Sequence, residues 1–445
     1  MVGSMDHLKL ADGDTIVIIG GGPAGSFFAM HVIGFARKSG INLSVIILER
    51  RYFSNYGPGG CNMCAGVLGG NFVNIISELD LIFDKSVIRK NVQGFKLNIN
   101  DKDALIIRQA SRVYTIFRGM GPQKNDSDGF VSFDGFLLKK AREYGATVLY
   151  GNVKDILIPK NPYKDKCIVK YITEKNEIQE FNASLVVGAF GVNSELGKNL
   201  SFGYEEPKYW HTCQTELLSL YENDITNYIN IFSRKHSKFL FTATIPKERY
   251  VTVTGIGRHV RFSELIRELK ELHIDSKYGL RLSPVCHCHP RLPVTQAKNP
   301  FHTRVVMIGD ACVSRYLKNG IESAFFTAKW AADTAISKGI DENAFKEHYY
   351  PRYNSNLIRD NRFGKVMFFV HNTIASNYHL SLAAISLIRE ESPLPIKKQW
   401  LSNIVWHMFV GDKPYKHIFL KSFKIIGIFK LWVKGILQRK VNYER

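Results

Sequence analysis

A chain of 445 residues, 45% hydrophobic and 22% charged, can bury a large core in two or three structural units and is too apolar for a disordered protein. Its formal net charge of +20 favours an anionic partner such as an acidic electron carrier or a membrane surface. No zinc finger or aromatic RNA-binding signature accompanies that charge, so no nucleic-acid partner is expected. Seven cysteines without a signal peptide point to a reducing compartment, and no apolar run is long enough to span a bilayer. The expected location is therefore cytoplasmic, with a peripheral position at the inner membrane face as the refinement.

The first predicted unit, residues 15–50, organises the rest. An apolar strand at 16–19 enters Gly20, Gly22 and Gly25, spaced as GxGxxG, and a second apolar strand at 45–48 ends at Glu49. Gly20 permits a sharp turn, Gly22 a close backbone approach to a pyrophosphate, and Gly25 close packing of helix on strand. The N–H groups that open the helix attract anions, and Glu49, 24 residues beyond Gly25, can accept both ribose hydroxyls. Either NAD or FAD satisfies this pattern.

Residues 55–70 hold six glycines and a proline, the composition of a backbone threaded close to something. Strands are predicted at 104–107 and 113–117, and a helix opens at Phe133 and ends at Gly145-Ala146. A strand follows at 147–150, then a hairpin at 168–172 and 178–181, and a buried strand at 185–188. Residues 204–259 read as strands, notably 239–245 and 251–254, and 262–272 as a helix. A constrained segment, 284–293, leads to a strand at 305–308 that stops at Gly309-Asp310. Asn319-Gly320-Ile321 then starts a long helix, 322–337. The remainder is helical and aromatic; residues 366–388 carry His371, Asn372, Asn377 and His379 and so predict a buried or interfacial helix.

The order GGGPAG, an acid-Arg-Arg after the second strand, Cys64-Ala65-Gly66, FDGFLLKKA followed by GA, VVMIGDA and NGIESAF resembles flavoproteins of the p-hydroxybenzoate hydroxylase fold, and within them the geranylgeranyl reductase family. The resemblance covers roughly residues 14–345. It implies an α/β fold: a Rossmann-like FAD-binding domain (14–85, 128–200 and 285–345), an inserted mixed-sheet substrate domain (86–127 and 201–284) and a helical C-terminal region with a basic tail (346–445). It further implies that Gly20, Gly22, Pro23, Ala24 and Gly25 hold the pyrophosphate, and that Glu49 and Arg50 lie at the adenosine. Gly309 and Asp310 would meet the ribityl chain, and the N–H groups at Gly320 and Ile321 the flavin pyrimidine edge. Two departures stand out. Phe190 occupies the place of an acid usual in hydroxylases of this fold, which counts against monooxygenase chemistry. Residues 241–246 keep the proline of a cavity-lining motif but lose its tryptophan.

Four cysteines form two tight pairs, Cys61-x-x-Cys64 and Cys286-x-Cys288, on segments that both approach the flavin in the family fold. A four-thiolate site for Zn or an iron–sulfur cluster, a redox pair at Cys61 and Cys64, and plain buried cysteines all fit that pattern. Cys64, in the motif nearest the ring, is the candidate catalytic residue. Residues 413–445 carry nine Lys or Arg and one acid, with Phe419, Phe423, Ile426, Val433 and Leu437 on one helical face. That pattern suits an anionic membrane surface, and equally a helix packed on the body. The expected activity is reduction of C=C bonds in an isoprenoid or other lipid by a flavin that takes electrons from NAD(P)H or reduced ferredoxin. A flavin-dependent monooxygenase or halogenase, and an electron-transfer flavoprotein with a cysteine-bound metal, are the alternatives.

Overall fold

The structure, a computed structural model, describes residues 7–61, 63, 65–83, 85–109, 111–123, 129–219, 227–423 and 434. The chain begins with strand β1 (Thr15–Ile19), helix α1 (Pro23–Lys38) and strand β2 (Ser44–Glu49). Strands β3 (Gly94–Ile99) and β4 (Lys102–Ile107) precede helix α2 (Phe133–Tyr144). Four strands follow: β5 (Thr147–Leu157), β6 (Cys167–Thr173), β7 (Ile178–Ala183) and β8 (Leu185–Gly188). Next come β9 (Tyr209–Ser219), β10 (Tyr228–Ser233), β11 (Phe241–Lys247), β12 (Tyr250–Ile256), helix α3 (Phe262–Glu271) and strand β13 (Val305–Met307). The C-terminal third is helical: α4 (Gly320–Ser337), α5 (Arg359–Ser376), α6 (Tyr378–Glu391), α7 (Trp400–Val410) and α8 (Tyr415–Ser422).

The first sheet has the order β7-β6-β5-β2-β1-β8-β13, with Phe301–His302 at the edge. Its five central strands run parallel, and β1 pairs with β2 on one side and β8 on the other, Ile16 opposite both Val45 and Leu185. Parallel strands covered on both faces need continuous apolar runs, which TIVII and SVIILE supply. The chain leaves β1 towards β2 through α1 and returns later to β8 on the opposite side, so a crevice opens beyond the carboxyl end of β1. The second sheet, with β9-β12-β11-β10-β3-β4 as its main path, has α3 on one face and the C-terminal helices on the other.

Helix termini follow local chemistry. Ser132 Oγ accepts from the Gly135 N–H at 3.0 Å to start α2, and Gly145 ends it at φ +114°. Residues 366–388 differ from the single helix expected: α5 stops and α6 starts at Asn377, which is extended and accepts from the Leu380 N–H at 3.1 Å. An asparagine that caps a new helix outcompetes a continuous helical path at this point.

Candidate functional site

Beyond β1 the backbone turns at Gly20, with φ +104°, where a Cβ would lie 2.6 Å from the Ala189 carbonyl oxygen. A Cβ on Gly25 would lie 1.9 Å from the Gly20 carbonyl oxygen, so α1 seats directly on the turn. Gly22 begins α1 in extended conformation without a side-chain cap, and Pro23 follows at the first helical position. The opening N–H groups of α1 are thus left for an anion. Glu49 braces the same turn: its Oε2 accepts from Gly21 N–H at 2.6 Å and its Oε1 from Arg51 N–H at 2.8 Å. Burial raises the Glu49 pKa, against backbone hydrogen bonds that lower it.

Two distant motifs complete this wall. Gly309, with φ +59°, donates to Thr327 Oγ1 at 2.9 Å, and a Cβ there would lie 2.8 Å from Ala24 Cβ, so the Gly309-Asp310 turn abuts α1. The start of α4 comes next, because a Cβ on Gly320 would lie 3.6 Å from Asp310 Oδ1. Burial raises the Asp310 pKa, while Ser314 and Arg118 pull it down. Gly20, Gly22, Pro23, Ala24, Glu49, Arg50, Asp310, Gly320 and Ile321 therefore line one cavity, with Gly25 and Gly309 supporting it from behind.

Sequence reasoning missed Arg118. Its Nε and Nη2 donate to Asp134 at 2.9 and 2.7 Å, and Asp134 is fully buried. The fork holds a guanidinium beside Gly22, where a Cβ would lie 3.2 Å from Nη2. No spacing rule joins an arginine after a strand to an acid in the next helix.

The cavity, about 330 Å³ in volume, continues from this polar crevice into an apolar chamber. Alternate residues of β11, Phe241, Ala243 and Ile245, form one wall with Ile229 and Ile231 of β10, and Phe409 and Val410 of α7 form another. The expected cavity-lining stretch 241–246 is therefore a sheet strand, and its period of two presents every second side chain to the chamber. Lys318 stands at the junction, its Nζ 5.6 Å from the centre of the Phe409 ring. Phe190 also lines the cavity and packs edge-on against Tyr204.

The two cysteine segments converge. Cys288 lowers the thiol pKa of both Cys61 and Cys286. For Cys61 the neighbouring Cys288 thiol brings the pKa down to about 6, aided by Met63 N–H, Lys247 and Arg118 against the penalty of burial. The Cys288 pKa moves up for the complementary reason. Cys64, the expected catalytic residue and fourth thiolate, lies outside the described residues. Among the described residues, the side chains that bring three His, Cys, Asp or Glu donor atoms within 4.8 Å of one another are His7, Glu347 and His348, beyond the end of α4; the three cysteines do not form such a group. Beneath them Glu216 is buried, accepts from Thr252 Oγ1 at 2.8 and 2.7 Å, and has its pKa raised by burial to about 7, with Lys247 opposing.

No protein-family model matches this sequence, and no curated protein does. Solved structures match throughout the chain. A geranylgeranyl bacteriochlorophyll reductase-like protein of Thermoplasma acidophilum is 17% identical with a TM-score of 0.66, over 91% of this chain and 98% of its own. A flavoprotein/dehydrogenase of Cytophaga hutchinsonii is 15% identical with a TM-score of 0.63, over 96% and 100%. The p-nitrophenol 4-monooxygenase of Pseudomonas putida is 13% identical with a TM-score of 0.59, over 91% and 99%. The chain therefore has the α/β flavoprotein fold that these reductase-like and monooxygenase proteins share.

Proposed function

We propose that this chain is an FAD-dependent oxidoreductase that reduces C=C bonds of an isoprenoid or other lipid substrate, with electrons from NAD(P)H or reduced ferredoxin. The observation that carries the reading is the continuity of a dinucleotide-type crevice with an apolar chamber. The crevice fits FAD in its donor set: uncapped amides of α1 for the pyrophosphate, the Glu49 carboxylate for a ribose, Asp310 for the ribityl hydroxyls and the start of α4 for the pyrimidine edge. Bound there, FAD would supply hydride chemistry. The protein's share is orientation and exclusion of water: the aliphatic and aromatic faces of β10, β11 and α7 favour an apolar chain over a polar one. The Arg118 guanidinium adds positive charge beside the phosphate turn.

A second reading, oxygen-dependent monooxygenation or halogenation, draws support from the likeness to p-nitrophenol 4-monooxygenase; Phe190 on the cavity wall counts against it. The deciding experiment is anaerobic reduction of purified protein, followed by incubation with prenylated lipids and mass spectrometry. A mass gain of two hydrogens supports the reductase. An oxygenated product formed only in air favours the second reading, and protein that neither retains nor takes up flavin defeats both.

We also propose a peripheral seat on an anionic membrane. Helix α5 exposes Val366, Phe369 and Val370 at helical spacing, and Leu420 and Phe423 are exposed at α8. No helix among the described residues is long and apolar enough to cross a membrane. Beyond residue 423 only Lys434 of the basic tail lies within the described residues. Co-sedimentation with anionic but not neutral vesicles is expected; binding unchanged by deletion of residues 413–445 would make the tail irrelevant to it.

A further inference from the structure

A cluster of metal-binding side chains lies apart from the cavity, where the segment before β1 meets the helical stretch after α4. One donor atom from each of His7, Glu347 and His348 lies within 4.8 Å of the other two. His7 Nε2 stands 4.0 Å from Glu347 Oε2, and the His7 and His348 rings meet edge-on with their centres 6.2 Å apart. None of the three lines the cavity. Both segments are anchored. On the first, Leu8 N–H donates to Asp341 Oδ2 at 2.9 Å, Leu8 O accepts from Ile340 N–H at 2.7 Å, and Leu10 is buried in the core. On the second, Glu347 and His348 belong to a π-helical turn, Phe345–Tyr349, whose first and last residues are fully buried. Tyr349 Oη donates to Met307 O at 3.1 Å, which fixes the turn to β13. With Phe345 and Tyr349 seated inward, exposed Glu347 and half-buried His348 face the surface together.

We propose that His7, Glu347 and His348 bind one zinc ion, with water as the fourth ligand, and that the ion clamps the segment before β1 onto the turn that follows α4. Asp341 decides which nitrogen His7 offers. Its carboxylate, 2% exposed, lies with both oxygens 3.1 Å from His7 Nδ1. An ionised carboxylate only accepts, so Nδ1 carries the proton and Nε2 keeps its lone pair on the Glu347 side. The carboxylate is itself fixed, since its Oδ1 also accepts from Ala344 N–H at 2.9 Å. Two imidazole nitrogens and one carboxylate oxygen are a zinc donor set, whereas calcium and magnesium take oxygen ligands. The charges of Glu347 and Asp341 balance a dipositive ion. Ligands ~2.1 Å from zinc stand ~3.4 Å apart on a tetrahedron. The 4.0 Å between His7 and Glu347 exceeds that by about 0.6 Å, which the exposed Glu347 side chain closes by rotation about its own bonds.

The site is structural. It lies away from the cavity, so zinc there takes no part in flavin chemistry. It ties together parts of the chain that stand 334 residues apart at His7 and Asp341. His7 precedes β1, which feeds the phosphate turn, and Glu347 follows α4, whose start lines the cavity. Only the folded chain brings the three donors together, so zinc stabilises that state by mass action.

The clamp goes beyond the proposed reductase activity and does not need it. The test uses full-length protein stripped of metal with EDTA and titrated with zinc chloride by calorimetry. His7→Ala, His348→Ala, Glu347→Ala and Asp341→Asn are compared with wild type and with His236→Ala, a control at an exposed histidine elsewhere. Cysteines also take zinc, so the readout is a difference: each of the three ligand variants should bind one equivalent less than wild type and His236→Ala. Asp341→Asn keeps the three ligands and should weaken that equivalent by about 10-fold or more. Zinc at 100 times its Kd should raise the Tm of wild type by about 3 °C, and the rise should shrink by that amount in the ligand variants. Cobalt in place of zinc should give visible bands that the ligand variants lose without any change in thiolate-to-metal absorption. Glu347 is exposed, so Glu347→Ala decides the matter even if a histidine variant fails to fold. Equal zinc uptake by wild type and Glu347→Ala, or weak uptake that never saturates at the extra equivalent, would mean an adventitious ion only and would overturn the proposal.

Discussion

Replacing Gly25 by alanine tests whether the cofactor turn works through close packing. The new Cβ would stand 1.9 Å from the Gly20 carbonyl oxygen and 3.1 Å from Ile18 Cγ2, and the nearer neighbour is backbone. Contacts under 3.0 Å do not persist, so helix and turn must separate by at least 3.0 − 1.9 = 1.1 Å. Overpacking of that kind costs about 3 kcal/mol. The same shift turns hydrogen bonds of ~2.9 Å between the opening amides of α1 and a phosphate into contacts of ~4 Å, which are no longer bonds. Losing two charge-assisted bonds at ~1.5 kcal/mol each weakens flavin binding about 100-fold. Gly34 lies in the same helix with nothing within 4 Å of its would-be Cβ. There alanine should stabilise by about 1 kcal/mol through helix propensity. Urea unfolding of flavin-stripped protein, followed by flavin titration, reads both effects. Wild-type stability and flavin affinity in Gly25→Ala would refute the reasoning.

Arg118→Ala removes a two-bond fork from the buried Asp134 carboxylate and should cost ~3 kcal/mol in urea unfolding, with weaker flavin binding; Arg118→Lys, lacking the fork, should fall between, and wild-type stability in the alanine variant would remove the pair from the argument. Glu216 has its folded pKa raised to about 7, so its contribution to stability is full below the unfolded value near 4.5 and is lost as pH climbs through 7, by about 3 kcal/mol. The stability of wild type relative to Glu216→Gln should therefore decline between pH 5 and pH 8, and a constant difference would contradict the raised pKa. Ala243→Phe fills the chamber between β10 and α7 and should lower kcat/KM for a long apolar substrate by roughly 10- to 100-fold while flavin content is kept; unchanged turnover would place the substrate elsewhere.

What sequence reasoning reached and what it missed divide along one physical line. Gly20, Gly25 and Gly309 were legible because a sharp turn or a helix seated on backbone admits only glycine, a constraint written in a few adjacent residues. Glu49 followed from its distance to that turn, although one of its oxygens braces the turn's Gly21 amide and the other the Arg51 amide, while the residue also lines the cavity. The break at Asn377 was hidden because apolar residues continue on both sides of it, while the capping bond that stops the helix depends on one side chain. The chamber beyond the expected stretch 241–246 was illegible for a different reason. Its walls join β3, paired in parallel with the distant β10, to Phe409 on α7, and no local pattern announces which faces will meet. The two cysteine pairs lie between these cases: each was visible as a motif, but the antiparallel seating of 285–288 on β9 was not. Chemistry that depends on a turn can be read from the chain, whereas chemistry that depends on a seam between walls has to wait for the fold, which is why the cofactor turn was reached before the apolar chamber.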